Sequence, residues 1–167
     1  MKSLFIVILA LASVATESQA SIVIGLPVRP VNERLSYVIS SKAPRPGAPT
    51  TRLVVQRSGA VIKSVCRAVL RRPCTSKLVT TLPLREMNII ETLIRDARLG
   101  EIVNRSFGVH CLAFSLEQKT LTADNGRVFL REVDSVCPAG ERVNVSAAAT
   151  RLIQKLERLF KLSLKLG

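Results

Sequence analysis

The only histidine of the chain, His110, stands directly before Cys111 in "GVHCLAFS", residues 108–115. A thiol beside an imidazole suggests a nucleophile with its base. Strand periodicity separates the two. Residues 109–116 read as a strand, where neighbours point to opposite faces, so His110 sides with Leu112, Phe114 and Leu116 while Cys111 sides with Val109 and Ala113. A cysteine held in a disulfide has no thiolate to offer, and His110 is expected to be a partly buried structural residue.

The other chemistries fare no better. With one histidine and no clustered carboxylates, a metal site would have to be built from the four cysteines. Gly-x-Ser-x-Gly, His-Glu-x-x-His and Walker patterns are missing. Glu132 and Asp134 share a strand face and could in form serve as paired acid and base, but exposed charges on an edge strand are the commoner role of such a pair. The expectation is a non-enzymatic protein that needs no metal or cofactor.

Residues 1–20 read as an export leader. Lys2 supplies the positive start, 4–14 form an apolar stretch too short to span a bilayer, and Ser18-Gln19-Ala20 offers a cleavage site. Residues 21–50 form a Pro-containing N-terminal segment: an apolar run expected to be an edge strand is interrupted by Pro27 and Pro30, and 41–50 is a Pro-rich loop. The ordered core is expected to begin near Thr51 and to run to residue 167 as one disulfide-stabilised domain. Such a leader implies a secreted or periplasmic protein, with a bacterial envelope as the favoured setting.

An exported chain with four cysteines argues for two disulfides, and sequence-local pairing favours Cys66 with Cys74 and Cys111 with Cys137. The first pair encloses "RAVLRRP", so Arg67, Arg71 and Arg72 are candidate binding residues on a braced loop. In size, and in carrying a basic residue beside proline, this ring resembles the binding loops of serine protease inhibitors of the Bowman-Birk kind. The likeness covers nine residues, lacks that family's Ser-x-Pro-Pro core, and is one of loop shape and not of membership. It implies, as an alternative function, a protease inhibitor acting through Arg71 or Arg72.

Net charge is +13 and stays so once Lys2 and Glu17 leave with the leader. Such a surface attracts polyanions in a salt-dependent way. There is no tryptophan, and Tyr37, Phe107, Phe114, Phe129 and Phe160 show no interleaving with cations, which argues against nucleic acid. The expected partner is an anionic envelope component or an acidic protein surface. In "ATRLIQKLERLFKLSLKLG", Arg151, Lys155, Arg158, Lys161 and Lys165 fall three to four apart beside a broad apolar face. That pattern fits a helix covering the core, and its alternative is peripheral contact with a membrane, making the chain membrane-active through this helix. Leu162, Leu164 and Leu166 exceed what one core-facing stripe requires.

The elements that would carry these residues are strands at 52–56, 60–66 and 77–82, with a Ser58-Gly59 hairpin signal. A helix then starts at Pro83, with Met87, Ile90, Leu93, Ile94 and Ala97 in register, and stops at Gly100. Strands follow at 109–116, 120–123 and 128–133, with an Asp124-Asn125-Gly126 turn, and a final helix begins near Ser146. The expected fold is α+β, an antiparallel sheet with two helices packed on one face, and the order admits a duplicated strand-strand-strand-helix unit. Asn104 and Asn144 each head an Asn-x-Ser sequon.

Overall fold

A computed structural model describes residues 32–41, 48–67, 74–106, 117–135 and 140–165. The leader, the 21–31 run, the tip of the braced loop (68–73) and the 109–116 segment with His110 and Cys111 lie outside them, as do Cys137 and Leu166.

The chain runs β1 (Glu33–Ser41), β2 (Pro49–Gln56), β3 (Ala60–Arg67), β4 (Thr75–Thr81), α1 (Leu84–Ala97), β5 (Ile102–Ser106), β6 (Glu117–Ala123), β7 (Val128–Asp134), β8 (Gly140–Asn144) and α2 (Ala147–Lys165). All eight strands join one antiparallel sheet in the order β4-β3-β2-β1-β6-β7-β8-β5. Both helices pack on one face, so the α+β expectation holds. The order strand-strand-strand-helix recurs in β2 to α1 and in β6 to α2. The two runs are not equivalent, because β1 lies between β2 and β6 while β5 sits beside β8, and an internal duplication is not established.

The packed body reaches further back than Thr51. β1 is central, paired with β2 on one side and β6 on the other, and its alternate residues Leu35 and Tyr37 are in the core. Its period-2 pattern is weak in sequence because apolar Val38 sits on the opposite face between Ser36 and Ser40. Glu132 and Asp134 are likewise not on an edge: β7 is paired on both sides, and Glu132 accepts from the Gln118 amide of β6.

Local chemistry explains the turns. Gly59 has φ +85°, and a Cβ there would stand 2.4 Å from the Leu82 carbonyl oxygen, so only glycine fits. Asp124 and Asn125 adopt φ 51° and 56°, the left-handed region that Asp and Asn tolerate best, and Gly126 follows at φ 83°. Asn125 Oδ1 accepts from the Glu33 N–H at 2.8 Å, fastening this turn to the start of β1.

α1 begins at Pro83, whose carbonyl accepts from the Glu86 and Met87 N–H groups, and buries Met87, Ile90, Ile94 and Ala97. α2 is capped by Ser146, whose Oγ accepts from the Ala149 N–H at 3.1 Å. It buries Leu152, Ile153, Leu156 and Leu159. Phe160 leans on Tyr37 with ring centroids 4.7 Å apart, so the apolar face of α2 covers the sheet.

Candidate functional site

The residues of α2 that point away from the core are set by its period. Ala147, Arg151, Gln154, Arg158, Lys161 and Lys165 recur every three or four positions, and all are exposed. From Arg151 to Lys165 this ridge runs for about 21 Å at the α-helical rise. The only acidic residue in α2 is Glu157, and its carboxylate is occupied by Arg131 of β7 at 2.9 Å. None of the four ridge cations has a carboxylate partner among the described residues.

Lys155 belongs elsewhere. It turns toward α1 and binds Glu86 Oε2 at 2.6 Å, linking the two helices. The cationic stripe of the sequence thus divides into one inter-helix tie and an outward ridge. Leu162 and Leu164 remain exposed beside that ridge.

The second candidate is the braced hairpin. Cys66 and Cys74 are joined by a disulfide at the end of β3 and the entry to β4. Their neighbours Thr50 and Val65 are ladder-paired with Cys66 and Thr75, so the bond closes the hairpin where its ladder stops. Arg67 is exposed at that end. Arg71 and Arg72 lie outside the described residues, as does the Cys111 and Cys137 pairing. A disulfide is the cross-link that persists in oxidising compartments.

A third cluster was not foreseen. Arg34 of β1 forks onto the Glu91 carboxylate of α1 and reaches Asp124 Oδ1 at 2.8 Å, while Arg98 holds Asp124 Oδ2 at 2.6 Å. Asp124 is buried, with both oxygens engaged. Next to it is a cavity of about 440 Å³ lined by Arg98, Ile102, Asp124, Arg127 and Phe129 and floored by Asn144. Asn144 is itself buried and bonded: its amide donates to the Ala97 and Phe129 carbonyls at 2.8 and 3.3 Å, and its Oδ1 accepts from the Ser146 N–H. Gly100 permits this approach, since a Cβ there would lie 2.1 Å from Asn144 Oδ1. The Asp-Asn-Gly turn was the only signal in sequence; partners some 90 residues away left none.

The pKa of Tyr37 is displaced. Burial pushes its phenol above the ordinary 10.0, and the nearby Glu157 carboxylate pushes the same way. Among the described residues no three His, Cys, Asp or Glu side chains gather to hold a metal ion, and no helix is long and apolar enough to cross a membrane.

Compared with protein-family models, with curated proteins and with solved structures, the chain matches none.

Proposed function

We propose that this is a non-enzymatic exported protein that binds an anionic partner through the outward ridge of α2. The observation that carries the reading is the run of Arg151, Arg158, Lys161 and Lys165 on an exposed helix face whose one acidic neighbour is neutralised from beneath. Such a row acts as a line charge: it draws polyanions, and each phosphate or carboxylate it meets displaces counterions. The arginine forks suit phosphate and carboxylate oxygens in pairs. The sheet beneath keeps the row rigid, so little ordering cost falls on the encounter. The partner class is an anionic envelope component or an acidic protein face. Retention on a heparin matrix tests this. The expected result is retention at low salt that is lost as salt rises; passage without retention at low salt would overturn it.

A second reading is favoured by the Cys66–Cys74 bond, which closes a nine-residue ring whose sequence carries Arg67, Arg71 and Arg72. Substituting Arg71→Ala and Arg72→Ala and assaying trypsin decides it. Loss of inhibition in one variant supports that reading, and absence of inhibition by the unmodified chain ends it.

A further inference from the structure

Resting on that reading, we infer that the anionic partner is the surface of a lipid bilayer, against which the helix layer lies flat. Cations alone would serve any polyanion. The helix layer carries more than cations: Leu84 and Ile89 of α1, Leu99 just beyond it, and Leu162 and Leu164 of α2 are exposed aliphatic side chains on the same side of the sheet as the ridge. Leu84 is 77% and Leu99 92% exposed, which places them fully in solvent.

The charges around them are sorted. Glu86, Glu91 and Glu157 are each tied to Lys155, Arg34 or Arg131. That leaves Arg85, Arg95, Arg151, Arg158, Lys161 and Lys165 exposed in the two helices, against Asp96, the one helix carboxylate with no cation partner among the described residues. A linear polyanion would bind these cations and leave the leucines in water. An anionic bilayer takes both, since headgroup phosphates meet the Arg and Lys heads while aliphatic side chains enter the boundary between headgroups and chains.

The opposite face of the sheet has a different chemistry. Ser36, Ser64, Ser76, Thr120 and Thr122 lie there in ladder register beside an aliphatic row of Val38, Val54, Ile62 and the exposed Leu78, with charges already paired as Arg52–Glu33 and Arg142 over the Phe129 ring. Exposed cations without a carboxylate partner and exposed aliphatic side chains occur together on the helix layer. Neither helix can span a membrane, so the contact is peripheral.

The experiment uses the purified chain and co-sedimentation with vesicles of phosphatidylcholine alone or mixed with phosphatidylglycerol, alongside heparin retention. The chain should pellet with the mixed vesicles and stay in the supernatant with the neutral ones. Leu84→Ser with Leu99→Ser should lower vesicle partition several-fold while leaving heparin retention unchanged. Arg158→Gln with Lys161→Gln should lower vesicle partition about 25-fold, at about five-fold per cation near an anionic surface, and weaken heparin retention as well. Leu164→Ser is the second aliphatic variant, on the other helix, and should also lower partition. Retention on heparin without binding to mixed vesicles, or vesicle binding that survives all three leucine changes, overturns the bilayer while the anionic reading stands. Failure to bind either probe overturns both.

Discussion

Arg34 and Asp124 meet at 2.8 Å, joining the second residue of β1 to the first residue of the β6–β7 turn across 90 positions of sequence. The same Arg34 forks onto Glu91 of α1, so one side chain ties central strand, turn and helix together. Asp124 is buried, and its second oxygen belongs to Arg98. Asp124→Asn keeps a residue that tolerates φ 51° and removes only the charge. The expected cost is about 2 kcal/mol, the range for a hydrogen bond to a charged group left incomplete. Arg98→Ala, whose side chain is more than half exposed, should cost under about 1 kcal/mol. Urea midpoints of the two variants measure the difference, and equal costs would show that Asp124 is not held as described.

Asn144 joins the end of α1, strand β7 and the start of α2 through three hydrogen bonds. Asn144→Ala would leave two carbonyls and one N–H without that partner, an expected loss of about 2 kcal/mol or more. Gly100→Ala should be damaging for the reciprocal reason, because its methyl would occupy the place of Asn144 Oδ1. Thermal melts of both variants check this, and a wild-type midpoint for Gly100→Ala would contradict the close approach.

Burial also separates the two sequons. Asn104 is exposed on the edge strand β5, whereas Asn144 has its amide nitrogen committed to two carbonyls. Secreted from a host that glycosylates Asn-x-Ser, the folded protein should carry sugar at Asn104 and none at Asn144. Peptide mass mapping checks this; folded protein modified at Asn144 would refute it.

Tyr37 supplies a pH dependence whose sign can be worked out. Its folded pKa is raised above 10.0 because burial and the Glu157 carboxylate disfavour the phenolate. The folded state therefore holds the phenolic proton more tightly than the unfolded chain does. The associated stability is complete below the unfolded value and is lost as pH rises through the folded one. Tyr37→Phe should flatten that alkaline loss. Tyr37 is also the only tyrosine in the chain, so tyrosinate absorbance reads it directly: the native titration should lie above that of the unfolded chain, and coincident curves would contradict its burial.

The Cys66–Cys74 bond closes a ring of nine residues, and loop-closure entropy assigns it about 2.5 kcal/mol. Cys66→Ala with Cys74→Ala should lower the thermal midpoint by that equivalent while leaving far-ultraviolet dichroism native. Unchanged stability would mean that the β3–β4 ladder alone holds the hairpin.

Much of this architecture was legible in local sequence. The 3.6-residue rhythm of Met87, Ile90, Ile94 and Ala97 located α1, the Ser58-Gly59 and Asp124-Asn125-Gly126 turns placed two hairpins, and cysteine spacing gave the Cys66–Cys74 pair. What escaped depends on distant partners. β1 lies within the Pro-containing 21–50 segment and alternates only weakly, and its central place depends on pairing with β6 some 80 residues on. β5 and β8 are short, largely polar strands, stabilised by each other and by β7 and without an apolar alternation of their own. For the candidate site, helical spacing identified the cations of α2, but only Glu86 reveals that Lys155 is not among the outward ones.

The central claim is that binding belongs to one face and not to net charge. Two variants with equal charge loss separate these: Arg151→Gln, Arg158→Gln and Lys161→Gln on α2, against Arg57→Gln, Arg105→Gln and Arg127→Gln, three exposed cations elsewhere. The measurement is equilibrium binding to inorganic polyphosphate across a salt series. The α2 variant should lose most of its affinity and its salt dependence, while the control stays close to the unmodified chain. Equal losses in the two variants would contradict the assignment of binding to α2.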